Sequence, residues 1–185
     1  MNYADTRVSR PTLTAVSACM QSSNEPYWEL FVVIGLLRHL YFVHQTNHWT
    51  VSGDPFYGDH QLFQRLYAGV EENGGINDEI DSVAEKAVGL GSANLVDLAS
   101  QLAFVSQLQQ SFGHRPYNLP HPDKLVQLSL SAELTFLHAM EHVCQSLKSS
   151  GMMTHGLDNL LAGIEDTHES SVYLLKQRST SVFLP

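Results

Sequence analysis

Long apolar stripes at helical spacing constrain the fold of this chain more than any other feature of its sequence. Four segments carry such a stripe, at residues 27–50, 55–91, 122–149 and 157–175. Apolar residues that recur at this spacing lie on one face of a helix, and that face must be buried against another element. The pattern therefore predicts an all-α protein with four long helices.

A shorter apolar segment lies between the second and third long helices. Its stripe predicts a connecting helix that opens with Ser92 or Asn94 as its cap and carries Leu95, Leu98, Leu102 and Val105. Helices joined as antiparallel neighbours need no such element, whereas a long crossover does. We expect an irregular arm at residues 1–25, one helical domain at 26–180 and a short tail at 181–185.

Charge and cysteine content limit the classes of function. Ten basic and nineteen acidic residues give a net charge of −9, which repels nucleic acid and attracts cations. The arm has Arg7 and Arg10 but no lysine, so it lacks the cations that phosphate binding needs. Cys19 and Cys144 have no metal-binding spacing and indicate free thiols in a reducing compartment. With no secretory pattern and no long apolar run, we expect a cytoplasmic protein that does not enter a membrane.

Three histidines and two carboxylates form a candidate metal site. The histidines lie on either side of the turn between the first two predicted helices, and the carboxylates lie later in the second. His44 and His48 extend the apolar stripe of the first helix, and His60 continues that of the second. Asp81 and Glu85 are four residues apart, so they share one helix face. Neutral nitrogens and anionic oxygens suit a cation such as ferrous iron. Taken singly, each histidine would more often be a core residue and the carboxylate pair a solvated face.

The separation of these groups along the chain limits how they can meet. Asp81 follows His60 by 21 positions. On one continuous helix the two would lie about 31 Å apart, at roughly 1.5 Å per residue, so one ion could not contact both. Either the helix is broken between them, or a symmetric interface brings histidines of one chain to carboxylates of another.

These residues resemble the motifs of the Dps family (DNA protection during starvation), the mini-ferritins. His48-Trp49, Gly53, Phe56 and His60 match the pattern HW-x-V-x-G-x-x-F-x-x-x-H. Residues 81–91 match D-x-x-A-E-[RK]-x-x-x-L-G, and the segment LLAGIEDTHESSVYLL is similar to the last helix of the family. The resemblance covers both halves of the motif and the final helix.

The resemblance implies a ferritin-like four-helix bundle with a short crossover helix, assembled as a hollow dodecamer. It implies ferroxidase sites at two-fold interfaces that bind iron as a mono-iron or di-iron centre. His48 and His60 would come from one subunit and Asp81 and Glu85 from its mate, with Trp49 beside the iron to quench radicals. Ferrous iron would be oxidised, preferably by hydrogen peroxide, and stored as ferric mineral to protect against oxidative damage. We expect the protein in the cytoplasm, and association with the nucleoid stays open.

One departure from the family pattern bears on the ligands. Extra residues around Glu71–Ile76 include a Gly-Gly pair, which costs about 1 kcal/mol per glycine in a helix interior. We expect a bulge or looped-out turn there. A slipped register would displace Asp81 and Glu85, and the chain would then be a shell protein of the same fold without ferroxidase activity. The other alternative is a DNA-condensing protein, which the lysine-poor tails disfavour.

Several further histidines and acids are given structural roles. His168 lies in an E-x-x-H spacing, but the first two helices lack the partners of a full di-iron centre within one subunit. We therefore expect His168 to make a structural hydrogen bond, and His138 and His142 to lie at the surface. Acidic pores for iron entry are expected from the resemblance, with Asp123 and Glu133 as guesses only.

Overall fold

The architecture is all-helical, as the apolar stripes predict. The computed structural model describes residues 23–70, 73–112 and 121–180, so most of the expected arm and the tail at 181–185 lie outside the described residues. Within these ranges there are six α-helices and one 3-10 helix, Ala93–Val96. The α-helices are α1 (Trp28–Thr50), α2 (Phe56–Ala68), α3 (Ile76–Gly89), α4 (Leu98–Phe112), α5 (Pro122–Ser149) and α6 (His155–Thr180). None of these helices is long and apolar enough to cross a bilayer.

Helix α1 is the centre of the bundle. It packs against α2, α3, α4 and α5, while α5 also packs along α6. Its residues are buried on all sides over two turns, including Leu30, Val32, Val33 and Leu37 at 0% exposure. A helix that is apolar around its whole circumference can be stable only when other helices surround it.

The second long helix is interrupted, and the prediction of a looped-out turn is confirmed. Helix α2 ends at Ala68, and Gly69 turns the chain with φ of 74°, in the region that favours glycine. A two-residue strand, β1 (Gly69–Val70), pairs antiparallel with β2 (Asn73–Gly74), and α3 then begins at Ile76. The continuous helix predicted for residues 55–91 is therefore two helices.

The crossover also differs from the prediction at its start. Ser92 precedes only the 3-10 helix and makes no side-chain cap there. Helix α4 begins at Leu98, and Asp97 caps it because its carboxylate accepts a 2.8 Å hydrogen bond from the backbone N–H of Ser100. The predicted caps, Ser92 and Asn94, are wrong because the 3-10 helix separates them from α4.

The last two helices follow the predicted stripes closely. In α6 the inward positions are all buried: Leu157, Leu161, Ile164, His168, Val172 and Leu175. In α5 the stripe includes Phe136, Ala139, Val143 and Leu147, each at 1% exposure or less.

The glycines near the helix break provide a test of its packing. A Cβ on Gly75 would lie 2.3 Å from the carbonyl oxygen of Tyr67 and 2.5 Å from the carbonyl carbon of Ala68. Both atoms are backbone and cannot move aside cheaply, so we predict that Gly75→Ala lowers the free energy of unfolding by about 1–3 kcal/mol. Urea titration followed by circular dichroism measures the change.

Gly58 is the matched control, because a Cβ there meets nothing within 4 Å. Gly58→Ala should raise the stability of α2 by about 0.5–1 kcal/mol. Equal effects of the two substitutions would show that α3 does not pack against the end of α2 as described.

Candidate metal site and buried polar network

His48 and His60 stack on each other at the surface of the α1–α2 hairpin. Their ring centroids are 3.7 Å apart with an interplanar angle of 25°. His48 lies in the last turn of α1 and His60 in the first turns of α2, so the short turn between these helices brings them together. Both are half-buried. We call these two residues the histidine pair.

Two reciprocal hydrogen bonds determine the tautomer of the histidine pair. His48 Nδ1 lies 2.9 Å from the carbonyl oxygen of His60, and His60 Nδ1 lies 3.0 Å from that of His48. A carbonyl oxygen only accepts, so each Nδ1 must carry the proton and donate. In the neutral rings each Nε2 then has a lone pair, and neither Nε2 is hydrogen-bonded within the described residues. A backbone carbonyl that holds one ring nitrogen so that the other is available is the usual support of a metal-binding imidazole.

Aromatic rings flank the histidine pair. Phe56 lies 5.0 Å from the ring of His60, and Tyr67 packs edge-on against His48 at 5.6 Å and 71°. Burial, with a smaller effect from Tyr41, raises the pKa of Tyr67, so its phenol is protonated at neutral pH. The predicted radical quencher, Trp49, is 67% exposed and has no ring contact with either histidine within the described part of the chain.

A buried ion pair holds α2 in place directly beside His60. Asp59 is only 2% exposed, and Arg178 donates to it from Nε (2.6 Å) and Nη2 (2.9 Å). The same Nη2 donates to Asp123 at 3.0 Å. Arg178 therefore joins the starts of α2 and α5 to the end of α6. A forked pair of this kind is geometrically specific, so it fixes the rotation of α2 and with it the direction of His60.

The predicted carboxylate ligands lie on a different surface. Asp81 and Glu85 are exposed on α3, four residues apart on one face, while the histidine pair lies in the α1–α2 hairpin. Among the residues that the structure describes, no group of three or more His, Cys, Asp or Glu side chains is placed to hold one ion. The described part of a single chain thus presents the nitrogens and the oxygens separately.

A second constellation, missed by the sequence analysis, lies inside the bundle. Glu133 of α5 is fully buried and joins two histidines: His44 Nε2 is 2.7 Å from its Oε1, and His168 Nδ1 is 2.6 Å from its Oε2. The other nitrogen of His168 donates to Glu79 of α3 at 3.1 Å. We call these four residues the Glu133 network. It links α1, α3, α5 and α6.

The network ends in a series of side-chain hydrogen bonds at α1. With the proton of His44 on Nε2, its Nδ1 accepts from the hydroxyl of Ser129 at 3.1 Å. Ser129 in turn accepts from the amide of Asn47 at 2.8 Å. Each of these donors meets an acceptor, which reduces the desolvation cost of burying it, whereas the buried side-chain oxygen of Asn47 has no hydrogen-bond partner among the described residues.

The charges of the network depend on one another. Burial alone would raise the pKa of Glu133, but the charge and hydrogen bond of His168, followed by those of His44, lower it to about 2. Burial alone would lower the pKa of His168, but Glu133 and then Glu79 raise it to about 10. Glu133 is therefore ionised and His168 protonated near neutral pH.

The Glu79 end of the network borders a cavity at the helix break. This cavity of about 180 Å³ is lined by His168 and Glu79, by the glycines of the strand pair, and by Arg65 and Asp166. Because Glu79 bonds to His168, the rotation of α3 is fixed after the interruption. Asp81 and Glu85 consequently face away from the bundle instead of into it.

The structure decides several of the structural roles expected from the sequence. The predicted hydrogen-bonding role of His168 is confirmed, with both ring nitrogens engaged. His142 is exposed as predicted, whereas His138 is half-buried beside it. The guess that Glu133 lines a pore is wrong, because Glu133 is at 0% exposure inside the bundle. Asp123, the other guess, instead pairs with Arg178 at the end of α6.

No protein-family model matches this chain, and no curated protein matches it. Its function has to be inferred from the chemistry of the histidine pair, the exposed carboxylates of α3 and the way the bundle holds them.

Removal of the central carboxylate tests the network. We predict that Glu133→Gln lowers the free energy of unfolding by about 3–5 kcal/mol, because it removes the buried carboxylate that balances the charge of the protonated His168. Urea unfolding measures the loss. Glu141→Gln, an exposed position on the same helix, is the control and should change stability by no more than about 0.5 kcal/mol. A similar small change for both variants would contradict the network.

The shifted pKa values predict the pH dependence of stability. The contribution of Glu133 is present above its ordinary pKa of 4.5 and is lost as the pH falls toward about 2. That of His168 is present below its ordinary pKa of 6.5 and is lost as the pH rises to about 10. Unfolding free energy should therefore be highest between these ordinary values, and urea titrations across the pH range measure it. If the slopes of unfolding free energy against pH are unchanged in Glu133→Gln, groups other than Glu133 and His168 cause the pH dependence.

Proposed function

We propose that the chain is a mini-ferritin of the Dps family, which oxidises ferrous iron with hydrogen peroxide and stores the ferric product. In this proposal the histidine pair of one subunit and Asp81 and Glu85 of its mate form the oxidation site. The fold would be the ferritin-like four-helix bundle, with α2 and α3 as its interrupted second helix and α4 as its crossover. The iron is substrate and cargo, bound as one or two ions.

The observation that carries the proposal is the tautomer of the histidine pair. Both Nδ1 atoms are engaged with backbone carbonyls, which leaves two Nε2 lone pairs on neighbouring stacked rings at a partly exposed surface. A structural histidine would be expected to use both nitrogens, as His168 does. The available nitrogens of His48 and His60 are suited to a borderline cation such as Fe²⁺.

The placement of the carboxylates supports a shared site. Asp81 and Glu85 point outward on α3 and have no ion pair within the described residues. In a two-fold dimer, the surface that carries the histidine pair can face the surface that carries these carboxylates, and the symmetry makes two equivalent sites. Exposed apolar side chains on the two helices that carry the histidine pair, namely Phe42, Phe56 and Tyr57, fit burial in such an interface.

In the proposed reaction, two ferrous ions supply the two electrons that one hydrogen peroxide molecule accepts. Each ferrous ion loses one electron, and peroxide takes up both as its O–O bond breaks. With two further water molecules, the products are two FeO(OH) units and four protons. Imidazole nitrogens hold the ferrous ion, while the carboxylates of Asp81 and Glu85 stabilise the additional positive charge of the ferric product.

The net charge of the chain, multiplied in the proposed dodecamer, supports a function in iron storage. In a closed dodecamer, a charge of −9 per chain becomes on the order of a hundred negative charges, which concentrates cations at the shell. The same charge, with few lysines, disfavours condensation of DNA. Within this proposal the protein protects the cytoplasm by removing iron and peroxide together.

Anaerobic loading with Fe²⁺, followed by a peroxide pulse, tests the site. We predict fast growth of ferric absorbance in the wild type and its loss in Asp81→Ala and in His60→Ala. Outer-shell partners of a metal alone are worth roughly 10- to 100-fold in activity, so the loss of a ligand should cost at least as much.

Glu141→Ala is the control for Asp81→Ala, because Glu141 is an exposed carboxylate on α5. It should oxidise iron at the wild-type rate. Equal rates in Asp81→Ala and wild type would exclude Asp81 as a ligand and favour a shell protein without this oxidation site. A salt-dependent shift of DNA in a gel would favour the DNA-condensing alternative.

A further inference from the structure

The cavity at the helix break gives access to the buried Glu133 network. Its volume is about 180 Å³, and its lining includes His168 and Glu79 together with the exposed residues Arg65 and Asp166. A polar space of this size has room for several water molecules. His168 is only 1% exposed, so the cavity brings solvent to an imidazole that is otherwise inside the bundle. The role of the network in holding the helices together does not account for this space.

We propose that this cavity binds one divalent transition-metal ion, with Nε2 of His168 and the carboxylate of Glu79 as its protein ligands. The site lies within one chain, between α3 and α6, at the interruption that the extra residues create. It does not depend on the proposed oxidation site, which uses other residues. An imidazole nitrogen and a carboxylate oxygen together suit ions such as Mn²⁺, Fe²⁺ and Zn²⁺.

The Glu133 network orients His168 for this role. Nδ1 of His168 donates to Glu133 at 2.6 Å, so Nε2 is the nitrogen that faces Glu79 at the cavity. A carboxylate that accepts from one ring nitrogen fixes the orientation of the ring and makes the other nitrogen a stronger ligand. Glu133 is itself held by His44 at 2.7 Å, so it stays in place when an ion binds to the far side of His168.

The spacing of the two ligands fits one coordination sphere. Nε2 of His168 and Oε2 of Glu79 are 3.1 Å apart. Two ligand atoms that each lie about 2.1 Å from one ion, at right angles to each other, are about 3.0 Å apart. The ion takes the position of the ring proton, and the Glu79 carboxylate moves beside it. With only two side-chain ligands, water in the cavity fills the remaining positions, as is usual for ions held by few protein groups.

The charge of the surroundings favours a divalent cation. The carboxylates of Glu133 and Glu79 face one imidazolium, that of His168, which leaves one negative charge in excess. A doubly charged ion that replaces the ring proton balances this excess. Arg65 and Asp166 at the exposed rim carry opposite charges and do not change the sum. In this exchange His168 releases one proton to solvent and gains one bond to the metal, and no electron is transferred.

Mn²⁺ is the probe, and the test uses the whole protein with His48→Ala and His60→Ala, so that the histidine pair cannot bind it. Loss of the electron paramagnetic resonance signal of free Mn²⁺ measures binding, and hyperfine coupling that changes with ¹⁵N-labelled histidine identifies an imidazole ligand. Glu79→Gln removes the anionic ligand, but its amide oxygen can still accept the hydrogen bond from His168, so the fold is kept. Glu141→Gln, at an exposed carboxylate of α5, is the matched control.

We expect a single Mn²⁺ per chain, with nitrogen coupling, in the parent protein and in Glu141→Gln. Glu79→Gln should weaken the binding by at least about 10- to 100-fold, which is the loss typical of removing an outer-shell partner alone. Absence of Mn²⁺ binding, absence of nitrogen coupling, or equal affinity in Glu79→Gln would each overturn the inference. None of these results would affect the proposed function, because iron oxidation is assigned to other residues.

Discussion

The ion pairing of Glu133 is the interaction on which the rest of this structure depends. A carboxylate at 0% exposure is tolerated only because two imidazoles, from α1 and α6, hydrogen-bond it and the protonated imidazole of His168 balances its charge. The second nitrogen of His168 extends the contact to Glu79 on α3. Apolar packing alone would allow these helices to slide or rotate by small amounts. The Glu133 network permits one arrangement, because a shift of any helix would leave a buried charge unpaired.

Buried charged groups also fix the position of α2 and α3, the two halves of the interrupted helix that carry His60 and the exposed carboxylates. The strand pair and its glycines separate α2 from α3, so each half needs its own anchor. Arg178 anchors α2 through Asp59, next to His60, and Glu79 anchors α3, two residues before Asp81. Because both halves are anchored, the extra residues around Glu71–Ile76 are accommodated in the turn between α2 and α3. The direction of the histidine pair and that of the exposed carboxylates are set by buried charged groups that lie outside the candidate site.

The sequence predicts the helices well because periodicity is a local property. The inward face of α6, the interruption after α2 and the closeness of His48 and His60 could all be inferred from residues near one another in the chain. Glu133 could not, since an acid between Ala132 and Leu134 gives no local sign of its partners, 35 and 89 positions away. Asp59 is similar, because its burial depends on Arg178, 119 positions along the chain. The reciprocal bonds of the histidine pair are likewise a matter of backbone geometry at the turn, which spacing does not report.

Complementation between inactive variants tests whether each oxidation site takes histidines from one chain and carboxylates from another, as we propose. One variant carries His48→Ala and His60→Ala, and the other carries Asp81→Ala and Glu85→Ala. The two are refolded together in equal amounts and given Fe²⁺ and peroxide. A shared two-fold site predicts that about a quarter of the sites become intact, because half of the pairs are mixed and each mixed pair has one complete site. Ferric absorbance should recover accordingly, while each variant alone stays inactive. No recovery in mixed assemblies of the correct size would contradict the shared site.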